Sequence, residues 1–174
     1  MTQRQSFLQA SDPPAQAAHA RDTLRLLLAQ DGSTTRLCET VAGGPITVHV
    51  LEQQVVQEVP AEVRAALPGR DFIERITFLA AHGQVMMDNL SYIALEGLAP
   101  DIRRDLEAGT MPIGHLLARM WVRREFLAPA AGLCERLWGA CGEPDVAASR
   151  TYRIVTPEGP RMLIAETYRR GMLM

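Results

Sequence analysis

Two charged residues stand inside apolar runs of the 174-residue chain. Glu166 lies in residues 161–168 (RMLIAETY), where strand alternation puts Met162, Ile164, Glu166 and Tyr168 on one face. Burial on such a face disfavours the charged carboxylate and raises its pKa, unless a cation lies beside it. A carboxylic acid poised in that way suits general acid–base work. The plain alternative is an edge-strand glutamate facing water next to Arg169 and Arg170. Arg75 lies in residues 72–79 (FIERITFL), a stretch apolar on both faces. A guanidinium there must be paired or must hold an anion, and its planar fork matches a carboxylate through two parallel hydrogen bonds. A structural ion pair with a carboxylate on a neighbouring strand would meet the same need.

Backbone features add two candidates. Ser33 starts a helix, where free N–H groups and the helix dipole favour an anion. Ile113 and Gly114 follow Pro112 at another helix start, and Gly114 permits close approach of a ligand. An ordinary cap and an ordinary turn explain the same residues. The four histidines, His19, His49, His82 and His115, form neither HxH nor HExxH spacing, so a metal site is not expected. No nucleophile-elbow, dinucleotide-binding or Walker motif is present. All 18 basic residues are arginine. That excludes Schiff-base, pyridoxal-lysine and P-loop-lysine chemistry and leaves anion binding to Arg, His and backbone amides.

The elements that must position these residues follow from pattern. Residues 22–28 read as a helix with Asp22 as a possible cap, and residues 33–41 as a second helix capped by Ser33. Residues 46–59 are rich in β-branched side chains and read as a strand. Residues 60–67 give one or two helical turns. Residues 71–81 and 85–95 read as strands joined by a hairpin at His82-Gly83-Gln84. Residues 96–108 read as a helix stopped by Gly109, and a short helix follows through Arg119. Residues 123–138 are expected to be mostly strand. Residues 150–156 and 161–168 flank a Pro157-Glu158-Gly159-Pro160 turn. Tight turns between strands, with helices grouped in sequence, predict an α+β fold built on an antiparallel sheet of about six strands.

The length fits one domain, expected over 21–174 after a loosely ordered lead-in over 1–20. A net charge of −2 predicts no nucleic-acid partner, and the absence of a long apolar segment predicts no membrane span. Three cysteines without CxxC spacing point to a reducing cytoplasm. A monomer is expected.

The fragments LLLAQDGSTTRLCE, ITVHVLEQQVV, FIERITFL, MPIGHLL and RTYRIVTPEGPRMLIAETY, in that order, resemble the chorismate–pyruvate lyase family over residues 26–168. The resemblance implies an antiparallel sheet covered by helices and enclosing a ligand cavity, and a cofactor-independent, carbon–oxygen lyase that eliminates pyruvate from chorismate to leave 4-hydroxybenzoate. It assigns the ring carboxylate to Arg75 and to backbone amides at Ser33 and Ile113. It assigns general acid–base work to Glu166. Family members often carry a further arginine on the strand after the hairpin; here that stretch reads Asp88-Asn89-Leu90-Ser91. Arg123, Arg124 or His49 is then expected to take the enolpyruvyl carboxylate. Two other readings remain open: a divergent enzyme acting on another cyclic or aromatic carboxylate, and a non-catalytic ligand-binding module of the same fold.

Overall fold

A computed structural model describes residues 13–109, 111–142 and 144–173. Its core is one antiparallel sheet of six strands: β1 (Thr47–Val56), β2 (Phe72–Ala81), β3 (Gln84–Ala94), β4 (Arg123–Leu127), β5 (Ser149–Thr156) and β6 (Gly159–Tyr168). The spatial order is β1-β2-β3-β6-β5-β4, which puts β3 and β6 at the centre. The α+β class and the strand number match the expectation. The β2–β3 hairpin closes through His82 and Gly83, both at positive φ (52° and 73°). That is the geometry a two-residue turn needs to match strand twist.

Helices α1 (Pro13–Ala29), α2 (Thr34–Ala42), α4 (Pro100–Ala108) and α5 (Ile113–Leu117) cover one sheet face. Helices α3 (Ala61–Ala66) and α6 (Ala131–Cys141) cover the other. Alternation sorts the strand residues between them. Phe72, Ile76, Leu90, Tyr92 and Leu163 pack with Val63, Leu133 and Leu137 of α3 and α6. Ile73, Ile93, Ile154, Met162 and Ile164 pack with Ile102, Leu106, Leu116 and Leu117 of α4 and α5. Leu79, Met87 and Tyr168 pack with Leu27 and Cys38 of α1 and α2. The last two clusters share one face, and the candidate site lies between them.

Local signals set the helix ends. Ser33 caps α2, its hydroxyl accepting the Arg36 amide at 3.3 Å. Gly109 ends α4 in the left-handed conformation (φ 71°), where glycine has no Cβ penalty.

Three expectations need correction. Residues 123–138 are not mostly strand: β4 stops at Leu127, and Ala131–Cys141 is helix α6. Pro129 interrupts the strand, and Leu133, Cys134 and Leu137 then recur at helical spacing on the buried side. Complete burial of Leu133 and Leu137 against the sheet stabilises by about 1.5–3 kcal/mol each. The first helix is longer than residues 22–28, with Asp22 inside it. It begins at Pro13, a position where the missing amide proton costs nothing. Helix α4 starts at Pro100, not residue 96, because Gly97 takes positive φ (75°) just before it. Of the expected lead-in over 1–20, residues 1–12 lie outside the described residues and 13–20 belong to α1. No described helix is long and apolar enough to cross a membrane.

Candidate functional site

Strand alternation delivers the two sequence candidates to the same place. On β2, Arg75, Thr77 and Leu79 point to the face shared by α2 and α5; on β6, Ile164 and Glu166 do the same. Asn89 on β3 pairs with Thr77 on one side and Glu166 on the other. Arg75 therefore stands two strand spacings and two residues from Glu166, about 12 Å at the backbone. Thr34 and Thr35 of α2, with Pro112, Ile113 and Gly114 at the start of α5, close the cavity from above. An ideal Cβ on Gly114 would lie 2.1 Å from the Thr35 hydroxyl, so only glycine lets α5 seat against α2.

Glu166 is 1% exposed. The Arg150 Nε–H donates to it at 2.6 Å, the Tyr152 hydroxyl at 3.0 Å and the Thr34 hydroxyl at 3.2 Å. Arg150 also donates to the carbonyls of Leu27, Leu28 and Gln30 at the end of α1, at 2.6–3.1 Å. One guanidinium thus fixes both the carboxylate and the helix above it. A cation lies directly beside the buried Glu166 carboxylate and pairs with it. Burial works against the Arg150 charge, but the fields of Glu166, Tyr168 and Tyr152 outweigh it and raise its pKa. Burial, then the neighbouring Glu166 charge, pushes the Tyr152 phenol well above its ordinary range.

Arg75 is also 1% exposed, but its surroundings differ. Its cross-strand neighbours are Gln53 and Ser91, so the expected alternative of a carboxylate on the adjoining strands is absent at those positions. Nη2 donates to the carbonyls of Gly109 (2.9 Å) and Met111 (3.2 Å). Nε and Nη1 are buried with no acceptor. Burial lowers the pKa of Arg75, with no opposing charge to restore it. A desolvated guanidinium with unused donors on two of its nitrogens carries a charge that an anion in the cavity would pair.

The other candidates separate cleanly. Ile113, Gly114 and Arg124 line the cavity. Ser33 does not line it; its hydroxyl caps α2, and its neighbours Thr34 and Thr35 face inward. Arg123 points outward, its side chain 64% exposed and paired with Glu125. His49 lies on the opposite sheet face from Val48, stacked on Phe78 at 4.4 Å. His115 pairs with Glu39 at 2.9 Å, away from the cavity. Among the described residues no His, Cys, Asp and Glu group has metal-binding geometry. Sequence reasoning missed Arg150, Tyr152 and Thr34, the donors to Glu166. The space between these residues, open on one side, is about 40 Å³.

The sheet and its helices define an α+β domain with a cavity on one face, lined by apolar side chains interspersed with polar and charged ones. The sequence matches the Chorismate pyruvate-lyase Rv2949c-like family over residues 28–173, and the chain belongs to that family. No curated protein matches it. Solved structures share part of the fold. One is described as the ligand-binding domain of a GntR-family transcriptional regulator from Bordetella bronchiseptica (17% identity, 72% of this chain and 83% of that one, TM-score 0.44). Another is the C-terminal domain of the histidine utilization repressor from Pseudomonas syringae pv. tomato (12%, 71% and 90%, 0.44). A third is a GntR-family regulator from Bacillus cereus (9%, 71% and 90%, 0.42).

Proposed function

We infer that the protein is a lyase that eliminates pyruvate from chorismate to give 4-hydroxybenzoate. The observation that carries this reading is the pair of unused, buried Arg75 N–H groups in the same cavity as the Arg150-anchored Glu166. Arg75 would take the ring carboxylate through a charge-assisted hydrogen bond from one of its unused donors. The first-turn amides of α5, at Ile113 and Gly114, have no intrahelical acceptor and support the same carboxylate. The ring then extends toward Glu166, and the hydroxyl-bearing carbon faces its carboxylate.

The reaction is redox-neutral. The carbon–oxygen bond to the enolpyruvyl group breaks, and its electrons leave with the ether oxygen. The neighbouring ring carbon, which bears the hydroxyl, loses its proton to Glu166 as general base. The electrons of that C–H bond complete the aromatic ring. Enolpyruvate gains one proton at its methylene carbon and becomes pyruvate, so one chorismate yields one 4-hydroxybenzoate and one pyruvate. Arg150, Tyr152 and Thr34 hold Glu166 in one orientation, which is the positioning such a proton transfer needs.

A second reading, another cyclic carboxylate as substrate, is favoured by one feature: β3 presents Asn89 to the cavity where an arginine is common in proteins this chain resembles. Incubation of the purified protein with chorismate tests both. Equal amounts of pyruvate and 4-hydroxybenzoate, formed above the spontaneous rate, establish the lyase. Folded protein that gives no acceleration refutes it. If that protein still binds 4-hydroxybenzoate, the cavity serves binding or a different acid.

A further inference from the structure

The charges that line the cavity do not balance. Two guanidinium groups, Arg75 and Arg124, face it together with one carboxylate, Glu166. That carboxylate is already neutralised from behind by Arg150 at 2.6 Å. Among the described residues neither Arg75 nor Arg124 has a carboxylate within ion-pair distance. Other arginines of the strands and helices do: Arg123 and Arg153 pair with Glu125, and Arg136 with Glu52 and Glu74. The cavity therefore carries two guanidinium charges without a carboxylate partner, and that of Arg75 is fully buried, where charge is costly unless paired.

Arg124 has the features of a receiving group. It sits on β4, at the far side of the sheet from Arg75, four strand spacings and two residues away, about 20 Å at the backbone. Its Nη1 donates to the carbonyl of Asp31 at 3.1 Å, and its buried Nε has no acceptor. Its guanidinium carbon lies 5.9 Å from the centre of the Tyr152 ring, whose hydroxyl donates to Glu166. That stacking and the Asp31 contact hold the fork beside the Glu166 end of the cavity. A neighbour one residue away, Arg123, alternates to the outside, and His49 lies on the other face.

We propose that Arg124 forms a second carboxylate subsite, so that the cavity selects a dianion: a cyclic acid carrying one carboxylate on the ring, at Arg75, and a second on an ether side chain, at Arg124. The proposal rests on the reading of Arg75 as the ring-carboxylate site. It gives the enolpyruvyl carboxylate a partner and explains how a chain with Asn89 on β3 manages without an arginine there. It also gives the product a reason to leave. Once the ether is cleaved, a monocarboxylate remains and Arg124 loses its counter-ion.

Calorimetry with non-reacting probes tests the subsite separately from turnover. The probes are 3-(carboxymethoxy)benzoate, a dicarboxylate, and 3-methoxybenzoate, which keeps the ring carboxylate and the ether but lacks the second charge. The wild-type protein is expected to bind the dicarboxylate at least tenfold more tightly. In Arg124→Gln that preference falls to less than twofold, while affinity for 3-methoxybenzoate stays within threefold. Arg124→Lys, which keeps the charge on a differently shaped head, retains part of the preference and serves if the glutamine variant does not fold. Equal affinity of the wild type for both probes overturns the subsite and leaves the lyase reading standing. So does an unchanged preference in folded Arg124→Gln. If neither probe binds the folded wild type, both readings fall. If chorismate is not turned over but the preference and its loss are seen, the lyase reading alone fails.

Discussion

Replacing Arg75 and Arg150 by methionine, one at a time, separates an arginine kept for a ligand from one kept for the fold. Both are nearly fully buried, at 1% and 6% exposure. Arg150→Met removes the guanidinium that pairs with Glu166 and leaves that carboxylate without its cation, which costs about 3–5 kcal/mol. It also strips the carbonyls of Leu27, Leu28 and Gln30 of their shared donor. Arg75→Met loses two charged hydrogen bonds, to Gly109 and Met111, worth about 1.5–3 kcal/mol each. Against that, it relieves a desolvated, unpaired guanidinium whose burial costs several kcal/mol. The two contributions nearly cancel, so the net change is expected within about 2 kcal/mol of zero or stabilising. At about 2–4 °C per kcal/mol for a chain of this size, Arg150→Met should lower Tm by about 6–20 °C. Arg75→Met should lower Tm by no more than about 8 °C and less than Arg150→Met does, while weakening 4-hydroxybenzoate binding by about 30–150-fold. Differential scanning calorimetry and titration calorimetry read the two effects. A Tm loss in Arg75→Met equal to that of Arg150→Met, with ligand affinity intact, would refute the assignment of Arg75 as a carboxylate receptor.

Glu166→Gln keeps the side-chain shape but not the base, and turnover of chorismate should fall about 10²–10⁴-fold with the circular dichroism of the fold preserved. A folded variant within tenfold of wild type would remove Glu166 from the chemistry. Gly114→Ala drives a methyl into Thr35, so α5 must lift from α2; a stability loss of about 1–3 kcal/mol in chemical denaturation is expected, together with weaker 4-hydroxybenzoate binding. A neutral outcome would show that the two helices are not tightly seated. Burial is the largest cause that raises the pKa of all three tyrosines, Tyr92, Tyr152 and Tyr168, above the ordinary value of 10.0. It also pushes the Cys38 thiol up from 9.0 to about 12. Each group stays protonated in the native state where the unfolded chain has released its proton. Stability from this source is therefore whole below pH 9–10 and falls as pH rises further, by about 1.4 kcal/mol per pH unit for each tyrosine. Tyrosinate absorbance should appear in one step coincident with alkaline unfolding. Titration of a tyrosine near pH 10 in the intact fold would contradict the packing described here.

Arg75 and Glu166 were legible in the sequence because each is a charge in an apolar strand, and period-two alternation fixes which side it takes. Most strand positions and the Ser33 cap were legible for the same reason: the signals are local. Arg150 was not. With Pro157–Pro160 as the whole turn, Thr156 pairs with Arg161 and Arg150 falls opposite Thr167, with its side chain on the wrong face to meet Glu166. In the structure Thr156 pairs with Gly159, an extra residue on β6, Arg161, shifts the register between Ile154/Met162 and Val155/Pro160, and Arg150 then stands opposite Glu166. A single bulge, which no local pattern announces, thus converts an isolated acid into half of an ion pair. Helix α6 was hidden by a different cause. Residues 123–127 do form a strand, and the change of period after Pro129 is short and rich in alanine and glycine. The contacts of Thr34 and Arg124 depend on how α1 and α2 lie over the sheet, and strand register alone does not specify that. The two halves of the site therefore have different origins. The sheet fixes the spacing between Arg75 and Glu166, while the α1–α2 connection, tied down by Arg150 to Gln30 and by Arg124 to Asp31, closes the cavity over them.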